Sequence, residues 1–257
     1  MRNLKLTIAF DGTNFSGWQK QLNAPTIQGE LEKVLGTITN NSVILHGAGR
    51  TDAGVHALGM IASFHTNSLI SPAELLRGAN AILPPAIRIL EIENAAPDFH
   101  ARFSTTSKTY LYTIETGAIQ SPVTRLYAVH IPQDLLIETM RRCLDVIMGT
   151  HDFASFEASG SRDKSITIGR GSVRTLQKAA LHKTGQDELQ FVFTGDGFLR
   201  HMVRNIVGTL LEVGKGRKTV EDFKKILEAK NRSAASATAP AHGLFLKTVH
   251  YKRYPSE

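Results

Sequence analysis

The segment Gly47-Ala48-Gly49-Arg50-Thr51-Asp52-Ala53-Gly54-Val55-His56-Ala57 sets one carboxylate and one guanidinium among small residues. Glycine lets a backbone take unusual turns and lets a ligand come close, and the flanking alanines leave room around Asp52. A carboxylate reached by a substrate can attack an electrophilic carbon or remove a proton. The same residues also suit a turn in which Asp52 caps the backbone and Arg50 is its surface partner. Loop composition alone leaves both readings open.

Other chemistries are disfavoured by the pattern. A dinucleotide fingerprint needs a third glycine where Asp52 stands, and a phosphate-cradling Walker loop needs Gly-Lys-Ser/Thr, which is absent. His46, His56 and His65 follow one another at ten and nine residues, off any single helical face, and no His-Glu-x-x-His occurs, so no metal site is expected. Each of these histidines is expected to be structural or to face solvent. Cys143 is the only cysteine and sits among Ile137, Met140, Leu144 and Ile147 at helical spacing, which suits a buried, inert thiol.

The elements that must carry the loop follow from periodicity. Leu4, Leu6, Ile8 and Phe10 alternate with polar or small residues as in a strand with one buried face. Thr26 is placed to cap a helix whose apolar stripe is Ile27, Leu31, Val34, Leu35 and Ile38. Strands are expected at Ser42 to His46 and at Leu58 to Thr66, with the Asp52 loop between them. Ser71-Pro72-Ala73-Glu74 forms a capping box with proline at the first helical position, and Arg88 to Glu93 reads as a strand.

The second half repeats this outline: a strand at Lys108 to Ile114, a helix at Gln133 to Met148, and strands at Ile166 to Leu181 and Glu188 to Thr194. An amphipathic helix at Phe198 to Val213 buries Leu199, Met202, Val203, Ile206, Leu210 and Val213 on one face. A helix capped by Thr219 and a strand at Leu244 to Tyr251 complete the series. Surface loops are expected at 158 to 172 and 214 to 218. The fold class is therefore α+β, in two similar halves over residues 1–105 and 106–257. Such halves can share one continuous mixed or antiparallel sheet, with helices packed on it and a central cleft at the junction.

Across 257 residues, 42% are hydrophobic and 21% charged, enough apolar surface for a buried core. Thirty basic residues against 23 acidic ones give a net charge of +7, which favours a polyanionic partner. The N-terminus lacks the uninterrupted apolar core of a signal peptide, and no run of about 18 apolar residues could span a membrane. A single thiol and these absences point to the cytoplasm.

Beyond the Asp52 loop, the chain carries Phe10-Asp11-Gly12, Gly17-Trp18-Gln19, Thr26-Ile27-Gln28, Phe99-His100-Ala101-Arg102-Phe103-Ser104 and Lys108-Thr109-Tyr110-Leu111-Tyr112. Gly149-Thr150-His151-Asp152-Phe153, Met202-Val203-Arg204-Asn205-Ile206-Val207-Gly208, and Thr238-Ala239-Pro240-Ala241 followed by Gly243-Leu244 continue the series. In this order the motifs resemble the tRNA pseudouridine synthase A family over nearly the whole chain. The resemblance implies a homodimer of α+β halves with the pseudouridine synthase fold, acting without cofactor or metal on uridines 38, 39 and 40 in the anticodon arm of tRNA. It further implies that Asp52 is the catalytic aspartate, that Arg204 is the basic residue paired with it, that Tyr110 lies against the target base, and that Arg50 faces the RNA. Met60 in place of glutamine, Ser236-Ala237 in place of Gly-Pro, and a cysteine-free stretch at 158–165 depart from the family pattern and bear on loop geometry and substrate choice.

The chemistry so implied breaks the N1–C1′ bond, turns the uracil and joins C5 to C1′, with nothing added and no net oxidation. A carboxylate serves by attacking C1′ or by removing a sugar proton, and both routes need it ionised, which a neighbouring guanidinium favours. Two other functions fit a lone carboxylate on a basic protein. A nucleoside hydrolase or base glycosylase would release free uracil, and an RNA chaperone would bind without chemistry; an acid beside the RNA path serves the second poorly.

Overall fold

The computed structural model describes residues 1–161 and 169–252. The elements run β1 (Arg2–Phe10), α1 (Ile27–Thr39), β2 (His46–Gly47), β3 (His56–Thr66), α2 (Pro72–Ile82), β4 (Ile87–Ala95), β5 (Thr105–Glu115), β6 (Val129–His130), α3 (Ile137–Val146), β7 (Gly149–Asp152), β8 (Val173–Lys183), β9 (Glu188–Gly195), α4 (Met202–Gly214), α5 (Val220–Ala229) and β10 (Leu244–Tyr251). They fall into two units, Met1–Thr106 together with the chain from Phe245 on, and Ser107–Leu244. The expected second half, 106–257, thus gives up its final strand to the first unit.

In the first unit β1 lies between β4 and β3, antiparallel to both, and β10 runs parallel to β3. Leu4, Leu6 and Ile8 of β1 are wholly buried, so the alternation in the sequence marks a real core face. Helix α1 packs on α2, and α2 packs on β4. Thr26 accepts a hydrogen bond from Gly29 N at the start of α1, and Ser71 and Glu74 close the expected capping box on α2. Each such cap contributes about 1 kcal/mol to its helix.

The strand expected at Ser42 to His46 is reduced to the two residues of β2, paired with β3 at Ser63 and Ala62. The cause lies in α1. Leu45 N donates to Glu32 Oε1 at 3.0 Å, and Leu45 O accepts from Gln28 Nε2 at 3.0 Å, so helix side chains occupy backbone groups that a strand neighbour would use.

In the second unit the strands are ordered β5, β9, β8, β7, each antiparallel to its neighbour, with β6 parallel to the end of β5. Helix α3 packs on β8, α4 and α5. It is shorter than its apolar spacing suggests, because Leu136 N is bonded to Gly214 O at 2.8 Å and the helix begins only at Ile137. Helix α4 begins at Met202, not Phe198, because His201 adopts φ +62°, outside any right-handed helix. Its apolar stripe is nevertheless as read: Leu199, Met202, Val203, Ile206, Leu210 and Val213 are all buried. The expected strand start at Ile166 and the middle of the expected loop 158 to 172 lie outside the described residues. The short β7 has no apolar alternation and was invisible to periodicity. The α+β class and the mixed strand directions are those expected.

Candidate active site

The Asp52 loop enters from β2 and leaves into β3, and its backbone is held from behind by residues 12 to 28. Trp18 N donates to Thr51 O at 3.1 Å, and Val55 N closes a turn onto Asp52 O at 3.2 Å. Trp18 is buried, its ring 6.2 Å from that of Phe10, and the segment it anchors continues into α1 through Gln28 N to Trp18 O. Gly17, at φ +91°, brings its backbone so close to the loop that an added Cβ would lie 2.5 Å from Thr51 O. Residues quoted above only as parts of motifs therefore form the back wall of the loop.

Asp52 itself is half-buried, at the tip of this supported turn. The adjoining Thr51 is buried, and its hydroxyl has no hydrogen-bond partner among the described residues. Arg50 is exposed, and its Nε donates to Gln19 Oε1 at 3.0 Å. Gln19 Nε2 in turn donates to Gln28 Oε1 at 2.8 Å, and Gln28 Nε2 donates to the buried Glu32 at 3.1 Å. A relay of side chains from α1 thus orients Arg50 while leaving its head in solvent. His56 is structural: it is buried, Gly12 N donates to its Nδ1 at 3.1 Å, and Phe245 stacks on it at 4.6 Å. His46 and His65 are exposed. Among the described residues no three His, Cys, Asp or Glu side chains are grouped to hold a metal ion. Burial pushes the Cys143 thiol up to about 11, so it stays protonated at neutral pH.

Asp52 and Arg50 lie in the first unit; Tyr110 and Arg204 lie in the second. Tyr110 stands on β5 opposite Phe193 of β9, 8% exposed, with the edge of Phe198 against it at 4.9 Å. Tyr112, two residues along the same face, is fully buried and donates from its hydroxyl to Pro240 O at 2.8 Å. Burial drives its phenol well above the ordinary 10, with the charge of Arg204 acting the other way, which places the guanidinium within electrostatic reach of this strand face.

Arg204 is the third residue of α4 and is half-buried. Its Nε donates to Ala239 O at 2.8 Å, and Ala239 N donates to Arg204 O at 3.1 Å, so side chain and backbone are fixed by one residue. The neighbouring Asn205, wholly buried, accepts from Thr238 Oγ1 at 2.6 Å and from Arg232 Nη2 at 3.2 Å, and donates to Phe156 O at 2.8 Å. Asn205, Thr238 and Pro240 are positioning residues that the sequence displayed but did not explain. The only signal for them was their place inside the short motifs at 202–208 and 238–241. Ahead of α4, an open pocket of about 410 Å³ is lined by Ala158, Ser159, Arg200, His201, Arg232, Ser233 and Thr238. The guanidinium groups of Arg200 and Arg232 and the hydroxyls of Ser159 and Ser233 give it the donor set of a phosphate site.

The chain is similar over most of its length to a family described as tRNA pseudouridine synthase, matched by residues 6–104 and 146–252. A protein named tRNA pseudouridine synthase A 1 from Desulfotalea psychrophila is 54% identical over 98% of this chain and 100% of its own length. Proteins named tRNA pseudouridine synthase A from Acetivibrio thermocellus and Latilactobacillus sakei are 43% and 42% identical, covering 98% and 96% of this chain and 100% and 98% of their own. A solved structure of an archaeal Nop10–Cbf5 complex aligns at 10% identity with a TM-score of 0.36, over 90% of this chain and 59% of the solved one, too slight a likeness to bear on the site. More than half of the chain falls within the family match, and the chain belongs to the tRNA pseudouridine synthase family, whose members isomerise uridine to pseudouridine in tRNA.

Proposed function

We propose that this isomerase acts on uridines 38, 39 and 40 in the anticodon arm of tRNA, with Asp52 as the group that reacts, Arg204 holding its charge, Tyr110 lying against the uracil and Arg50 facing the RNA backbone. The observation that carries the reading is the Asp52 loop: a carboxylate half-open to solvent on a turn whose backbone is clamped by Gly17 and Trp18. Preorganisation of this kind is what a reacting group needs and a mere surface turn does not.

A uridine stacked in a stem hides C1′, so the nucleotide must first be extruded, at a cost of about a few kcal/mol. Asp52 then either attacks C1′, displacing uracil with its electron pair on N1, or removes a sugar proton to open a glycal route. On the first route C5 of the turned uracil bonds to C1′ and displaces the Asp52 carboxylate with its electron pair; on the second C5 adds to C1′ of the glycal while the sugar carbon regains the proton from Asp52. The proton leaving C5 is balanced by one gained at N1. Every atom is retained, so the rearrangement itself calls for no redox or group-donating cofactor.

Arginine is suited to the role given to Arg204 because it stays protonated at any working pH. Tyr110 is mostly covered, so its contact with the base uses the limited ring surface left by Phe198. The basic pocket at Arg200 and Arg232 suits a backbone phosphate of the same RNA, in keeping with the net charge of +7. Among the described residues no helix is long and apolar enough to cross a membrane. A cytoplasmic homodimer, as the family resemblance implies, completes the proposal; sedimentation of the free protein tests the dimer.

The decisive experiment is Asp52→Asn. It should abolish tritium release from tRNA labelled at C5 of uridine while tRNA is still retained in a filter-binding assay. An active variant refutes the mechanism. Free uracil as the product would instead establish a hydrolase, and pseudouridine mapped outside positions 38 to 40 would refute the assigned substrate.

A further inference from the structure

We propose that the ring column His46, His100 and Phe103 is a stacking platform for an unpaired base of the tRNA substrate, distinct from the target uridine, with Arg102 beside it to meet the adjoining phosphate. The proposal rests on tRNA being the substrate; nothing above gives these residues a part in the reaction.

Phe103 is 77% exposed, which is unusual for a phenylalanine held so firmly. Its ring lies 4.4 Å from that of His100, tilted by 38°, and His100 lies 4.8 Å from His46, tilted by 35°. The column therefore starts on β2 and ends at the exposed ring of Phe103. The Arg102 guanidinium sits 5.7 Å from the Phe103 ring.

The turn that carries the column is rigid. Ala101 is wholly buried; its N donates to Ser63 Oγ at 3.1 Å, and its O accepts from Tyr251 Oη and Thr105 Oγ1, both at 2.7 Å. Phe99 O accepts from Asn3 Nδ2 at 2.7 Å, and Ser104 N donates to His100 O at 2.9 Å. Arg102 N donates to His100 Nδ1 at 3.1 Å, which orients the middle ring of the column. A large exposed ring on a turn tied to three strands loses little entropy when it binds, as preorganised contacts require.

Charge selects the occupant. Burial first holds His100 below its ordinary 6.5, so the middle ring of the column is neutral, and the Arg102 guanidinium is the permanent positive charge beside it. A base with its phosphate satisfies both halves of this surface: its π-face on Phe103, its charge toward Arg102. A second copy of this chain would bring a second Arg102 guanidinium to the interface and no charge to meet the first.

Two variants test the platform. Phe103→Ala should raise KM for tRNA by about 5- to 150-fold, the range for loss of one base stack, with kcat changed far less. Phe103→Trp should retain activity. Because Trp18, the only tryptophan, is buried, the indole introduced at 103 reports its own surroundings, and its emission should be quenched on addition of tRNA. An unchanged KM in Phe103→Ala, or an indole not quenched by tRNA, overturns the platform. Emission that changes with protein concentration alone overturns it in favour of a contact between copies. Wild-type protein that fails to convert tRNA would sink the proposed function itself, an outcome separate from all of these.

Discussion

Gly17→Ala tests whether the back wall of the Asp52 loop sets the rate. Gly17 has φ +91°, and an added methyl would lie 2.5 Å from Thr51 O and 3.1 Å from the carbonyl carbon of Asp52. Ordinary contact begins at 3.4 Å, so the loop must retreat by about 1 Å. A displacement of that size at a reacting group is worth roughly a hundredfold in rate. The positive φ adds about 1–2 kcal/mol of backbone strain for any L side chain, a loss of several degrees in Tm for a chain of this size. Gly149 supplies the control: it has φ +89° and nothing within 4 Å of an added Cβ, so Gly149→Ala carries the strain without the push. Single-turnover tritium release, with Tm followed by circular dichroism, should show a stability loss in both variants, greater in Gly17→Ala by the cost of the clash, and a large rate loss in Gly17→Ala alone. Equal rates in the two would refute the claim that the Gly17 backbone places Asp52.

Tyr110 and Tyr112 share a strand face and should separate function from stability. Tyr110→Ala should lower kcat/KM by about tenfold or more through the lost base contact, while Tyr112→Phe should cost about 1 kcal/mol of unfolding free energy by stranding Pro240 O, with a smaller effect on activity. Chemical denaturation and kinetics on both variants decide; a larger kinetic defect in Tyr112→Phe would reverse the roles. Stability should also fall on mild acidification. Burial holds both His100 and His242 below the ordinary 6.5, so each is neutral when folded. Above that value both states are neutral and stability is constant; as pH falls through it the unfolded chain takes the protons first, and stability drops until the folded pKa values are passed. The carboxyls of Glu74 and Asp222, lowered by the hydroxyl of Ser71 and the backbone N–H of Thr219 respectively, lose their contribution only below the ordinary carboxylate range, so the two steps are resolved. A melting profile flat from about pH 7.5 to 5.5 would contradict this assignment, and replacing both histidines by glutamine should abolish the upper step.

What the sequence made legible was whatever depends on near neighbours. The caps at Thr26, Ser71 and Thr219 lie within three residues of the N–H groups they satisfy, and β10 spans the expected Leu244 to Tyr251. The errors arise where a distant group intervenes. Leu45 is taken out of a strand by Glu32 and Gln28, Leu136 is kept out of α3 by Gly214, and His201 turns the chain before α4 can start. Periodicity carries no term for such partners. The family resemblance supplied Asp52, Tyr110 and Arg204 as a set; the loop residues alone did not distinguish a reacting Asp52 from a turn cap, and Asp52→Asn is the experiment that separates the two.

The departures from the family pattern acquire a physical meaning from the same supports. Met60 is wholly buried on β3, opposite Ile8, so it alters core packing beneath the strand that leaves the Asp52 loop and not the loop surface. Ser236 N donates to Thr209 Oγ1 at 3.2 Å, which fastens the segment carrying Ala239 to α4 one turn beyond Asn205. Ala239 is the residue that fixes Arg204 from both sides. A change at 236 or 237 therefore reaches Arg204 through two hydrogen-bonded backbone steps, whereas a change at 60 reaches Asp52 only through the pitch of a strand. The tighter route is the one expected to alter catalysis: restoring Gly-Pro at 236 and 237 should change kcat with little effect on KM, and restoring glutamine at 60, which buries an amide in an apolar core, should lower Tm before it touches either constant. Finding kcat insensitive to the exchange at 236 and 237 would mean that Arg204 is held by α4 alone.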